Sequence, residues 1–248
     1  MTRRAMTIAL SAGLVGMAAG SAHAVTYSLN WLNMAPTPFG SSVPNNSVFN
    51  LPGVGPVTVT YNIPSSFSDV RFTNPSYQNE SVTNGPDTYS WGAHEGFGVT
   101  NLGNVTGAWD ITYTFSGVLA PGTIYLGVSG LGATTNPGGG YSVATVFQNG
   151  NYLGDVNSSG TYGPTNYTPG AGVFSMQNSL IAAGGIDPHW NSQLGLVQIM
   201  DPISSLTVHF SQLGGDGVGV NIAAVVPAPT SGACFVLAGL AATRRRRM

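Results

Sequence analysis

The sequence predicts an all-β protein: an antiparallel β-sandwich of jelly-roll type, with a helical signal peptide before it and a short C-terminal apolar helix after it. Three observations predict this. Apolar and polar residues alternate with period two in one segment after another, which marks half-buried strands. The 35 Gly and 16 Pro punctuate those segments at turn-like positions. Helical periodicity is nearly absent, and no repeat of about 20 to 50 residues suggests a propeller or solenoid.

The elements follow in order. Val25, Tyr27, Leu29 and Trp31 alternate with Thr26, Ser28 and Asn30, giving a first strand. Residues 33–56 are rich in Pro, Asn, Ser and Gly and read as a long connection. Val57, Val59 and Tyr61 form a strand that Pro64 stops, and a short segment spans Asp69 to Thr73. Asn74 to Asp87 is polar and turn-rich. Trp109 to Phe115 is the clearest strand, with Trp109, Ile111, Tyr113 and Phe115 on one face and Asp110, Thr112 and Thr114 on the other. Pro121-Gly122 turns the chain back into Thr123–Ser129, expected as a hairpin partner of the preceding strand, because Pro presets φ and Gly accepts φ > 0. Ser142–Gln148 and Tyr152–Val156 read as a hairpin closed by Asn149-Gly150-Asn151. Residues 157–172 read as a loop, and Val173–Ala183 is the one place for a short helix. Leu194–Met200, then Leu206, Val208 and Phe210 alternating with Thr207 and His209, then Val218–Val226 complete some nine to eleven expected strands.

Charge is distributed unevenly. Only 6% of residues are charged, against about 25% in ordinary soluble domains. There is no lysine, and Arg3, Arg4 and Arg244 to Arg247 leave Arg71 as the single base of the body. All nine acids lie in that body, so it carries one base against nine acids, a net charge of −8. Nucleic acid is excluded as a partner, since a phosphate backbone requires clustered Lys and Arg. Cys234, the single cysteine, lies in the tail, so the body holds no disulfide.

Both ends read as targeting segments. Arg3-Arg4, an uncharged apolar run from Ala5 to Ala19, and Ala22-His23-Ala24 are the three regions of a secretory signal peptide. Signal peptidase is expected to recognise Ala22 and Ala24 and to cut before Val25. The expected division is signal peptide 1–24, β-sandwich ectodomain 25–225 and sorting signal 226–248.

At the C-terminus, Val226-Pro227-Ala228-Pro229 precedes the apolar run from Gly232 to Thr243 and the four arginines Arg244, Arg245, Arg246 and Arg247. This tail resembles the PEP-CTERM sorting signal of exosortase-dependent bacterial surface proteins. It departs from the family's usual pattern at Ala228, where Glu is expected, and so looks like the Pro-Ala-Pro variant. The resemblance implies an exosortase-type membrane processing enzyme as partner, cleavage near the Pro-Ala-Pro segment, and delivery to the bacterial cell surface or an exopolysaccharide matrix. Length agrees: Thr230–Thr243 would span about 21 Å as a helix, short of a hydrocarbon core of about 30 Å. That suits transient membrane retention, held by cytoplasmic arginines. The body more loosely resembles the β-sandwich ectodomains that precede such tails.

Motifs of chemistry are sparse. His94-Glu95 and Asp187-Pro188-His189 lack the paired spacing of zinc ligands. Gly214-Gly215-Asp216-Gly217 resembles one fragment of a calcium turn but reads better as a hairpin turn. No catalytic residue, cofactor or metal is expected, although the carboxylates leave open one calcium site built from loops distant in sequence. Trp91, Trp190, Tyr162 and Tyr167 sit in loop-like surroundings where aromatic rings could stack on sugars, but covering the core is the preferred reading because aromatics bury large areas. The expected function is a secreted cell-surface or matrix protein, structural and non-enzymatic. A glycan-binding module of the exopolysaccharide matrix is the alternative, and a loop-built glycoside hydrolase or esterase the third reading.

Overall fold

A computed structural model describes residues 24–34, 40–67, 70–73, 80–92, 96–100, 106–132, 141–156, 163–179, 192–213 and 217–225. Sixteen strands are present among them. In chain order they are β1 (Thr26–Trp31), β2 (Ser47–Leu51), β3 (Gly55–Asn62), β4 (Arg71–Thr73), β5 (Glu80–Asn84), β6 (Asp87–Trp91), β7 (Gly96–Thr100) and β8 (Thr106–Leu119). The second half holds β9 (Ile124–Ser129), β10 (Tyr141–Val146), β11 (Gly150–Val156), β12 (Thr165–Gly170), β13 (Val173–Asn178), β14 (Leu194–Ile199), β15 (Ile203–Leu213) and β16 (Gly217–Val225).

Two sheets make the sandwich. One has seven strands in the order β12-β13-β10-β15-β8-β3-β2, and the other nine along the path β11-β14-β9-β16-β1-β6-β5, with β7 joining β16 and β4 joining β7. The main core lies between them. Ile111, Tyr113, Val208, Phe210, Ala144 and Phe174 from one sheet meet Leu126, Val128, Val197, Val220 and Ile222 from the other. Trp109 stacks on Phe210 with centroids 4.3 Å apart. Its indole Nε1 donates to Gln212 Oε1 at 2.6 Å, and Gln212 Nε2 donates to Ser142 Oγ at 3.1 Å. These buried polar groups therefore satisfy one another, as burial requires.

A second core occupies the far face of the nine-stranded sheet. Leu29, Trp31, Val82, Tyr89, Trp91, Tyr125, Leu153, Leu194 and Leu196 form it. The sheet rolls up until its two ends meet: Asn84 Nδ2, on β5, donates to the β11 carbonyls of Tyr152 at 3.0 Å and Leu153 at 3.3 Å. Hence β9 is buried at every position, because both of its faces are covered, and its sequence is a continuous apolar run rather than an alternation. Gly127 makes room for Trp31 inside the roll, since a Cβ there would lie 2.5 Å from Trp31 Cη2.

The sandwich reading and most strand positions hold, with several corrections. The long connection at 33–56 contains β2, whose Val48 and Asn50 point out while Leu51 is buried. The turn-rich segment 74–87 contains β5, and the loop at 157–172 contains β12, a short polar edge strand with little apolar patterning to reveal it. Of the helix expected over Val173–Ala183, Val173–Asn178 is strand β13, in which Phe174, Met176 and Asn178 are buried and the residues between them are not; Ser179 is helical and 180–183 lie outside the described residues. The expected hairpin of Ser142–Gln148 with Tyr152–Val156 is not formed: β10 pairs β13 and β15 in the seven-stranded sheet, β11 pairs β14 in the nine-stranded sheet, and 147–149 carries the chain from one sheet to the other, with Gly150 already in β11. One pair is parallel, β1 with β6, so the sheet that closes the second core is mixed. The Pro121-Gly122 turn forms, with Gly122 at φ 77° and Thr123 N donating to Ala120 O at 3.3 Å, but β9 is not the hairpin partner of β8: the turn carries the chain into the other sheet, where β9 pairs β14 and β16.

The pairing directions place both ends of the described body together. Leu29 pairs with Val225 in an antiparallel ladder, so β1 enters where β16 leaves. The turns β5–β6, β8–β9, β10–β11 and β12–β13 lie at that same end. Connections 101–105, 133–140, 157–162, 180–191 and 214–216 lie outside the described residues, and the strands flanking each of them end at the opposite end.

Candidate functional site

The strongest candidate is the outer face of the seven-stranded sheet. On β10, Ser142, Ala144 and Val146 are buried, so Tyr141, Val143 and Thr145 point outward. One residue beyond the strand, Phe147 continues the outward line and is 68% exposed. Tyr141, at the other end, is 37% exposed. The two rings are thus separated by about 20 Å along the strand, at a rise of roughly 3.4 Å per residue.

Polar groups fill the space around that line. The register aligns Thr168, Ser175, Thr145, His209, Asp110 and Asn62 across β12, β13, β10, β15, β8 and β3. At a spacing of about 4.8 Å between strands, this row runs about 24 Å. His209 Nδ1 lies 2.7 Å from Asp110 Oδ1, with the two side chains 39% and 37% exposed. The carboxylate only accepts, so the imidazole N–H donates. One row along, Thr112 Oγ1 and Thr207 Oγ1 are 2.8 Å apart. This surface presents hydroxyls, an amide, an imidazole and a carboxylate on a rigid sheet, with an aromatic ring toward each end.

Asp110, His209 and Thr145 follow one another as acid, imidazole and hydroxyl, the order of a hydrolytic triad. The geometry does not complete one. Thr145 makes no hydrogen bond to His209 among the described residues. The backbone N–H groups of β8, β15 and β10 are engaged in their ladders, so none is free to stabilise an oxyanion there.

The aromatics singled out from sequence fall elsewhere. Trp91 is on β6, only 5% exposed, and meets Trp31 edge-to-face at 5.7 Å in the second core. Tyr167 is on β12, stacked on Tyr152 at 5.0 Å, and its hydroxyl donates to Gly150 O at 2.7 Å. It pins one sheet edge to the other, and burial raises its pKa. Neither is a loop aromatic. Trp190 and Tyr162 lie outside the described residues, as do His94, Glu95, Asp187, His189 and Asp216. Ala24 is described and exposed. Ala22, Val226, Pro227, Ala228, Pro229 and Arg244 to Arg247 lie outside the described residues. Among the described residues no three His, Cys, Asp or Glu converge as metal ligands, and no helix is long and apolar enough to cross a membrane.

Three groups away from that face have raised pKa values. At the edge where the sheets meet, Asp155 Oδ2 accepts from Thr165 N at 2.9 Å, and burial raises the Asp155 pKa. Burial, followed by the Asp155 charge, holds the Tyr152 phenol well above its usual range. At the mouth of the second core Tyr27 stacks on Tyr89 at 5.0 Å. Tyr125, which accepts from Gln198 Nε2 at 2.9 Å, is pushed up to about 12 by burial first and by neighbouring tyrosines second.

Comparison with known proteins adds little. No protein-family model matches the sequence, and no curated protein matches it significantly. Among solved structures, the fold is similar to a family 11 carbohydrate-binding module from Clostridium thermocellum in complex with a β-1,3-1,4-mixed-linked tetrasaccharide. The match has 10% identity and a TM-score of 0.30, and covers 81% of this chain and 96% of that one. At that TM-score the likeness carries no argument, and the functional reading rests on the geometry above.

Proposed function

We propose that the protein is an exported, non-catalytic β-sandwich that binds polysaccharide on the outer face of its seven-stranded sheet. The observation that carries this is the β10 line, with Tyr141 and Phe147 at its two ends and the polar row through Thr145, His209 and Asp110 crossing it. Sugar rings offer apolar C–H faces and hydroxyl edges. Aromatic rings take the former, and fixed polar side chains take the latter, directly or through water. A chain lying along β10 would use both. This reading places the glycan-binding alternative ahead of a purely structural matrix role.

The test is affinity electrophoresis of the purified protein through gels containing soluble polysaccharides, followed by calorimetry on any that retard it. Tyr141→Ala and Phe147→Ala should abolish retardation while leaving the melting temperature within about 2 °C, because exposed side chains contribute little to stability. Retention unchanged in both variants would count against this face.

Export and sorting are part of the same proposal. Ala24 and Val25 are exposed, and β1 enters beside the exit of β16. Cutting at either end therefore need not open the sandwich. Arg244 to Arg247 replaced by Ser should leave the tail unprocessed and mislocalise the protein, read by fractionation and by mass of the mature chain.

A further inference from the structure

We infer that the ligand of this face is an uncharged polysaccharide chain rather than an acidic one; this rests on the carbohydrate reading above. Recognition of uronate, sulfate or phosphate groups requires Lys or Arg, preferably as a planar fork. The body has one such residue, Arg71. It lies on β4, which pairs with β7 in the nine-stranded sheet, with Arg71 opposite Gly98. It bridges to Ser42 on its other side. Among the described residues, therefore, no Lys or Arg stands on the outer face of the seven-stranded sheet.

The ionisable groups on that face among the described residues are Asp110, His209 and Tyr141. His209 already directs Nδ1 at Asp110, so its nearest charge is a carboxylate of this protein. Beyond the face, one base against nine acids gives the body a field that repels polyanions at low salt. What remains for a ligand is hydroxyl exchange with Thr, Ser and Asn side chains and with the paired His209 and Asp110, and ring stacking at Tyr141 and Phe147. Neither depends on ligand charge, so binding should be nearly independent of salt.

The experiment titrates the purified protein with three polymers: a neutral glucan or mannan, a polyuronate, and a deacetylated, cationic amino-sugar polymer. Each is measured at about 0.01 M and about 1 M salt, between which the Debye length falls from about 30 Å to about 3 Å. The neutral polymer should bind with less than about a twofold change in Kd across that range, and the polyuronate should not bind at either salt. Thr114→Arg, which adds a base at an exposed position of the same face, should create salt-sensitive polyuronate binding. Tight polyuronate binding by the unaltered protein would overturn the inference. So would binding confined to the cationic polymer and lost at high salt, which would mark simple attraction to the net negative charge. Retention of none of the three would end the carbohydrate reading itself.

Discussion

His209 on β15 and Asp110 on β8 face each other across a ladder, Nδ1 to Oδ1 at 2.7 Å, in the middle of a sheet whose outer side chains are otherwise uncharged. Both are more than a third exposed, so solvent screens the pair and its contribution to stability is roughly 0–1 kcal/mol. Its position at the centre of the polar row points to contact with ligand instead. His209→Ala and Asp110→Ala should each weaken polysaccharide binding about tenfold, equivalent to about 1.4 kcal/mol, with nearly unchanged melting. Calorimetry beside a thermal melt separates the two effects. Loss of melting temperature without loss of affinity would make the pair a structural one.

The second core makes the opposite prediction for Trp91, one of the four aromatics considered as sugar platforms. Trp91 packs edge-on to Trp31 and is buried, so Trp91→Ala should cost about 3–5 kcal/mol of unfolding free energy. Any loss of binding should track the loss of folded protein. Urea titrations give the first quantity. Binding corrected for the folded fraction gives the second, and a specific loss of affinity would return Trp91 to the site.

Gly127 tests the rolled sheet directly. A methyl group there would stand 2.5 Å from Trp31 Cη2 and 3.0 Å from Leu194 Cδ1, with both neighbours fixed in the core. Gly127→Ala should destabilise by about 1–3 kcal/mol. Combining it with Trp31→Leu should cost less than the sum of the two single changes, because the smaller side chain leaves room for the methyl group. Strict additivity in denaturation experiments would mean that the two residues do not share this contact.

These two cores also show where the sequence was legible. Trp109–Phe115 and Leu206–Phe210 each cover one core on one face only, so period two exposed them and placed Asp110, Thr112, Thr114, Thr207 and His209 outward. Nothing local could say that β8 and β15 are neighbours in a register that sets His209 opposite Asp110, because those residues meet across 99 positions of chain. Tyr141 and Phe147 alternate with Ser142, Ala144 and Val146, a signal that was present. Their exposure depends on nothing covering β10, which is a tertiary fact. Trp91 is a core residue, the more expected of its two readings, but on a strand rather than a loop: its flanking residues are turn-like, yet the sheet curls over it.

Tyr113 carries a hydroxyl with no hydrogen-bond partner among the described residues and no solvent exposure. Burial raises its pKa well above the usual phenol value. In the unfolded chain water satisfies that hydroxyl, so folding loses its hydration without replacement. Tyr113→Phe keeps the ring against Phe97 and removes the loss. The variant should be more stable by about 1 kcal/mol, seen as a higher denaturation midpoint at constant slope. A lower midpoint would show that the hydroxyl has a partner, such as a buried water.

Asp155 predicts the pH dependence of the joint between the sheets. Its folded pKa lies above the usual carboxylate value because burial outweighs the hydrogen bond from Thr165 N. Between the two pKa values the folded state holds a proton that the unfolded chain has released. Stability therefore falls as pH rises through that window, and is level above it. The neighbouring Tyr152 phenol, itself raised, stays neutral throughout. Asp155→Asn keeps an oxygen to accept from Thr165 N and removes the buried charge. The variant should gain melting temperature relative to the unaltered protein as pH rises from about 3.8 toward neutrality. The gain should reach a plateau rather than grow further. Melts across that range decide it: a difference that is constant with pH would mean that this carboxylate does not titrate differently in the folded chain.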